Sequence, residues 1–375
     1  MRVSGSITLV FLFTTVLATP VKRADESFKT LRDAANADWM AAIDDATSLG
    51  ALSIPGTHES MAIHGGPIAE CQEELGDGGE VLTAQMNAGV RAFDVRLRIV
   101  EDSKFTIHHG LIFQEATFDN VLDKFDAFLA AHPKEVLMVR IKQECTGEVG
   151  SCTDVEGQKS FTDIFDDYMN NSPSAQRSIL RASVDRNRAA ALPTLGEARG
   201  KVIVMVVHGT FGGRVDSYGL EQFSAWNGGD SEFVQDEFEV KDPGAIEDKA
   251  NTVRTFLDKV SGAEPTNLAV NFASGSSILA LPEIVAGGLL GIEGVNENLL
   301  AKLNDGSVKR SSIIMMDFPG SALINKILSF NPNAPAPAPA PAPASAPSNP
   351  VDVVKSGVES AVDSVKNIFG DLFGR

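Results

Sequence analysis

The sequence predicts an α/β protein, a single distorted (β/α) barrel followed by a Pro-Ala linker and a C-terminal amphipathic helix. Three observations carry that expectation. From residue 24 to 330, short apolar runs alternate with longer helical patterns and no linker-like segment intervenes, as parallel strands joined by crossover helices require. Two runs, VLMV (136–139) and VIVMVV (202–207), are continuously apolar, the mark of strands covered on both faces. No glycine-rich nucleotide fingerprint opens a helix after a strand. Seven or eight strands over about 300 residues then fit a closed barrel better than an open doubly wound sheet.

The chain opens on Arg2, an apolar stretch from Ile7 to Leu17, and small or modest side chains at Val16 and Ala18. This reads as a secretory signal, too short to span a bilayer. The dibasic pair Lys22-Arg23 places the mature start near Ala24, so an extracellular protein is expected. The strand runs are ALSI (51–54), VRAFDVRLRI (90–99), FTIHH (105–109), EVLMVRI (135–141), KVIVMVV (201–207), LAVNF (268–272) and SSIIMMDF (311–318). In TFDNVLDKFDAFLAAHP, Phe118, Val121, Leu122, Phe125 and Leu129 recur at helical spacing, with Thr117 as N-cap and Pro133 as stop. Another helical pattern runs from about Leu281 to Leu303, with glycines inside it that can break it. Residues 331–349 are low-complexity Pro-Ala, stiff and without a core. Across residues 350–375, Val351, Val354, Val358, Val362, Val365, Phe369 and Leu372 form one apolar helix face. That face is expected to cover a membrane, the barrel or another copy of the chain.

A formal charge of −18 excludes a nucleic-acid partner, whose phosphates would be repelled. Of the three cysteines, Cys145 and Cys152 are the natural bridge across TGEVGS, which leaves Cys71 free or an alternative partner.

Sites in α/β barrels gather at the C-terminal ends of the strands. Applied to these runs, that rule collects His58 after the first, Asp94 and Arg96 in the second, and His109 closing the third. Lys142 and Glu144 follow the fourth, and Asp317 ends the last. A base, an acid and a cation for phosphate charge are the parts of acid–base chemistry on a phosphodiester. Each histidine needs a carboxylate to fix its tautomer. Taken singly, His58 could cap a turn, and Asp94 with Arg96 could be a structural ion pair; their joint placement carries the functional reading. His64 reads as a loop residue, His108 as core and His132 as a helix end.

In order and spacing, SIPGTHES, RAFDVRLR, IHHG, KQE, VQDEFEV and IIMMDF resemble the catalytic X-domain of phosphatidylinositol-specific phospholipase C, of the small bacterial and fungal secreted type. The likeness covers nearly all of residues 45–330 and implies a distorted TIM barrel. It also implies that His58 is general base, His109 general acid and Arg96 the phosphate cation. Asp317 would orient His58, Glu59 would support His109, and Asp94 would complete the network. Lys142 and Asp236 would contact the inositol ring of a phospholipid at a membrane surface, and the product would be a cyclic inositol phosphate.

Three positions depart from the family pattern. Glu59 stands where aspartate is usual. Phe238 stands where a tyrosine stacks on the ring. The family's inositol-contacting arginine falls in KVIVMVVH, where this chain offers Val207 and His208. With Arg96 in place of a metal, no cofactor is expected; Asp94, Glu59 and Glu144 are the oxygen ligands a calcium ion would otherwise take. A calcium-dependent enzyme on another phosphodiester, or a non-catalytic binder of lipid or inositol phosphate, are the competing readings.

Overall fold

The structure is a computed structural model that describes residues 26–144, 156–186, 188–209, 214–226 and 232–333. The expected signal segment, the Cys145–Cys152 pair, the Pro-Ala linker and the C-terminal helix lie outside these residues. The first half of the chain runs through β1 (Ile54–Thr57), α1 (Glu80–Ala88), β2 (Ala92–Val100), β3 (Lys104–His109), β4 (Ile112–Thr117), α2 (Phe118–Ala131) and β5 (Val136–Gln143). Then come α3 (Phe161–Asn171), α4 (Pro173–Ser178), α5 (Leu195–Ala198), β6 (Lys201–His208), β7 (Arg214–Gly219) and β8 (Val234–Gln235). The rest is α6 (Ile246–Gly262), β9 (Val270–Phe272), α7 (Pro282–Gly287), β10 (Gly288–Leu289), β11 (Ile292–Glu293), α8 (Val295–Asn304), β12 (Ile313–Met316) and α9 (Ser321–Leu328).

The main sheet follows the order β7-β6-β5-β2-β1-β12-β9-β8. Every pairing from β6 to β8 along that path is parallel, and only β7 joins antiparallel. The sheet therefore curls into a barrel that stays unpaired between β7 and β8 among the described residues. Trp226 stands across that side, its ring 5.3 Å from His208 of β6 and 6.1 Å from Phe272 of β9.

Three expectations need correction. The first strand begins at Ile54, because Leu49–Ala51 is a tight 3-10 turn instead. FTIHH is not a parallel barrel strand: β3 runs antiparallel to β2 and forms a hairpin with β4. A chain that returns after only three residues cannot make the crossover that a parallel strand needs. The helix over 281–303 is two helices separated by the β10–β11 hairpin. Gly288 has φ +84, and a Cβ there would lie 2.2 Å from the carbonyl of Ile292, so only glycine makes this turn. By contrast α2 matches expectation, with Thr117 and Asn120 closing a capping box.

Register explains how the barrel carries charge at one end and hydrocarbon below it. Neighbours in register present their side chains on one face. Gly56 pairs with both Met315 and Ala92, and Ala92 pairs with Met138, so these residues floor the interior. A Cβ at Gly56 would meet Met315 Sδ at 2.6 Å and Ala92 Cβ at 3.0 Å, which explains the glycine of IPGT. Two residues on, the same face carries His58, Asp94, Arg140 and Asp317; Arg96 and Lys142 follow two further along. In β6 a register shift at Met205 puts Val206 opposite Arg140 and His208 opposite Lys142. Val207, opposite Ile141, consequently faces the helix layer.

Candidate active site

His58 leaves β1 with its backbone N–H donated to the carbonyl of Met316. Its Nδ1 is 2.9 Å from Asp317 Oδ1, and its Nε2 is 3.3 Å from Arg96 Nη2. A guanidinium can only donate, so Nε2 carries the lone pair and Nδ1–H is donated to Asp317. Burial first, then the Arg96 charge, pushes His58 well below its ordinary pKa. Asp317 is pushed well above the usual carboxylate range by burial and by Glu59. The pair is thus kept at low net charge in a dry setting.

Arg96 is buried and fully committed. Nε and Nη2 donate to Asp94 Oδ2 at 3.1 and 2.8 Å. Nη1 donates to Glu144 Oε1 at 2.9 Å and lies 3.1 Å from Glu59 Oε1. Burial works against the charge of Asp94, but Arg96 and Arg140 outweigh it and hold that carboxyl far below its usual range. Glu144, which also accepts from the backbone N–H of Gly110 at 3.1 Å, is likewise held low against burial by Arg96 and Lys142.

The β3–β4 hairpin brings His109 back over this cluster. Its Nδ1 is 2.7 Å from the carbonyl of Ala69, so Nδ1–H is donated there and Nε2 is left toward the mouth; Glu59 Oε2 lies 3.1 Å from Nδ1 as an ion-pair neighbour without a hydrogen bond of its own. One carboxylate, Glu59, therefore touches Arg96 and His109 and comes within 3.8 Å of His58 Nε2. Burial pushes Glu59 upward while Arg96 and His109 pull it down. The backbone here is strained: Glu59 has φ +39, and Phe318, which follows Asp317, has φ +44, values costly for side chains of this size.

The remaining expected groups are placed less uniformly. Lys142 points inward, 3.9 Å from Glu144 Oε1, and is brought down to about 8, first by Arg96 and then by burial. Asp236 lies 3.9 Å from Arg140 Nη2. His208 is a correction to a substrate contact: it is buried, with Nε2 2.8 Å from the Trp226 carbonyl and Nδ1 accepting from Arg140 Nε at 3.4 Å. Burial and Arg140 bring it down to about 3. Phe238 is 65% exposed on the rim, and among the described residues no contact ties it to the cluster. His64 sits apart, 3.8 Å from Glu115.

Sequence reasoning passed over Arg140 and the full role of Glu144. The alternation V-R-I-K puts Arg140 on the same strand face as Lys142, which was the available signal. Cys71 is free and buried, with Sγ 4.0 Å from His109 Nδ1. It could share a soft metal with His58 and Asp317 or with Glu59 and His109, each set having ligand atoms within 4.8 Å. Calcium is different. Its oxygen donors Asp94, Glu59 and Glu144 already enclose the Arg96 guanidinium, so a second cation would meet a fixed positive charge.

Two histidines with carboxylates beside them flank an enclosed guanidinium at the C-terminal mouth of the (β/α) barrel, an arrangement that can move protons on either side of an anionic centre. The comparison with known families is specific: residues 53–207 match the phosphatidylinositol-specific phospholipase C X domain, the family whose motifs this sequence resembles. It is 27% identical over 300 residues to a 1-phosphatidylinositol phosphodiesterase of Listeria monocytogenes, covering 78% of this chain and 84% of the relative. A Staphylococcus aureus protein of the same name is 29% identical over 64% of this chain and 75% of its own length. The solved Listeria monocytogenes phosphatidylinositol-specific phospholipase C superposes with TM-score 0.58 at 25% identity, over 79% of this chain and 98% of that one. A Staphylococcus aureus phosphatidylinositol-specific phospholipase C shares the fold with TM-score 0.60 at 23% identity, over 81% and 99% of the two chains.

Proposed function

We propose that this protein is a secreted, metal-independent phosphodiesterase that cleaves the phosphate–glycerol bond of phosphatidylinositol or a closely related lipid. The observation that carries this reading is the Glu59 carboxylate, which bridges Arg96 and His109 and approaches His58, so that base, acid and cation flank one small volume. His58 Nε2 takes the proton of the ring 2-hydroxyl as its oxygen attacks phosphorus. The phosphorus–glycerol oxygen bond breaks, and His109 Nε2 supplies the proton to the departing diacylglycerol. The head group leaves as a cyclic phosphodiester. Charge building on the phosphate oxygens is met by Arg96 and Lys142. The substrate takes over the Arg96 contacts to Glu59 and His58, of 3.1 and 3.3 Å.

The barrel mouth also supports a lipid surface as the place of action. Among the described residues, the large exposed apolar side chains cluster in the connections at this end. Ile68 follows β1, Leu111 and Phe113 cap the β3–β4 hairpin, Ile278 follows β9 and Leu290 tips the β10–β11 hairpin. With the whole chain at −18, burial of apolar area rather than charge would hold it there.

The test is ³¹P NMR of phosphatidylinositol vesicles incubated with wild type, His58→Ala and His109→Ala. A cyclic inositol phosphate from wild type alone is the expected result, unchanged by a strong chelator. No cyclic product from wild type sinks the reading, and loss of activity on chelation sinks its metal independence.

A further inference from the structure

Arg140 is a buried guanidinium at the barrel mouth whose terminal nitrogens find no hydrogen-bond acceptor among the described residues. Its side chain is 7% exposed and packs over Trp226 and Phe272, at 4.8 and 5.4 Å from the ring centroids. Among the described residues only Nε makes a hydrogen bond, to His208 Nδ1 at 3.4 Å. The terminal nitrogens stop short of their nearest carboxylates: Nη1 is 3.6 Å from Asp94 Oδ1 and Nη2 is 3.9 Å from Asp236 Oδ2. Asp94 Oδ1 is itself buried without a hydrogen-bond partner. Leaving even one buried donor or acceptor unmet is costly, and here a fork of donors and an acceptor face one another across a gap. Arg96, on the next strand, is the contrast, since each of its nitrogens is already engaged.

A pair of adjacent hydroxyls would complete this arrangement. Each hydroxyl oxygen accepts from an Nη–H and donates its own proton to a carboxylate. A phosphate in the same place would satisfy the guanidinium but face the charges of Asp94 and Asp236. We propose that Arg140 is the head-group-gripping residue of this site, its fork binding two neighbouring ring hydroxyls with Asp94 Oδ1 and Asp236 as their acceptors. Trp226, Phe272 and His208 hold the fork in plane. The inference rests on the phosphatidylinositol reading. It also accounts for β6, which presents Val206 and His208 inward and no arginine: the neighbouring strand β5 supplies the guanidinium instead.

The test has two arms on the full chain. In the first, binding of free myo-inositol is measured by NMR for wild type, Arg140→Lys and Arg140→Ala. In the second, kcat and KM are measured for the same proteins on phosphatidylinositol and on ring-deoxygenated analogues. Arg140→Ala is expected to weaken inositol binding and lower kcat/KM by about 10- to 100-fold, with lysine recovering only part because it lacks the fork. The analogue that costs wild type a similar factor should cost Arg140→Ala nothing further. Unchanged inositol binding, or an equal added loss on every analogue, overturns the proposal and leaves cleavage standing. If wild type fails to cleave the lipid yet needs Arg140 to bind myo-inositol, the gripping role stands and the cleavage reading falls.

Discussion

Glu59→Asp is the perturbation that most directly probes this site. Removing one methylene withdraws the carboxylate by about 1.5 Å, so the ion-pair contacts of 3.1 Å to Arg96 and to His109 both lengthen out of close ion-pair range. The two losses are unequal. Arg96 retains Asp94 and Glu144 and should hold its place. His109 retains the Ala69 carbonyl at 2.7 Å, which keeps its tautomer, but loses its close contact with the Glu59 carboxylate. A charge-assisted contact of this kind is worth about 1.5–3 kcal/mol, or about 10- to 150-fold in kcat/KM. The backbone pulls the other way, since aspartate accepts a φ of +39 more readily than glutamate; the melting temperature should therefore hold or rise. The assay is kcat/KM on phosphatidylinositol in mixed micelles beside a thermal melt. A variant within twofold of wild type, with an unchanged melt, would refute the argument that Glu59 matters through His109.

Other outcomes follow from the same geometry. Because burial and Arg96 lower His58, its base form persists below the ordinary histidine range, and the acid limb of kcat/KM should lie below pH 6.5; a midpoint at or above that value contradicts the placement. His208, brought down to about 3, takes no proton in the folded state while the unfolded chain takes one near 6.5. Its stabilisation is present above pH 6.5 and lost as pH falls toward 3, at up to ~1.4 kcal/mol per pH unit, and His208→Gln should flatten the pH dependence of urea midpoints. Leu290→Ser and Ile278→Ser each remove an apolar side chain worth ~1.5–3 kcal/mol when buried. Each should cut vesicle partitioning by about tenfold while leaving turnover of a dispersed short-chain substrate intact; equal losses on both substrates would remove the rim from the account.

Much of the site was legible because a strand has period two and a barrel gathers its chemistry at one end. His58, Asp94, Arg96 and Asp317 follow from those rules alone. His109 was named for the wrong geometric reason: it does not end a barrel strand but is folded back by a hairpin, and a run such as FTIHH carries no mark of its direction. His208 and Phe238 show the limit of carrying roles by position, since the first is locked beneath Arg140 and the second stands on the rim. Arg140 was hidden by a run that reads as buried hydrocarbon, VLMVRI, and the shift at Met205 that pairs it with Val206 has no signature in composition. The broken helix over 281–303 was signalled by its glycines, but that they build a hairpin depends on tertiary contact.

The partly open side of the barrel also gives the protein an optical reporter. The chain has two tryptophans. Trp39 donates to the carbonyl of Gly89, below the start of β2 at the opposite end of the barrel, whereas Trp226 lies under the Arg140 guanidinium. In a Trp39→Phe background, emission would come from Trp226 alone. Anything that shifts that guanidinium would change its intensity, so head-group occupancy could be followed in real time, without a label and without turnover.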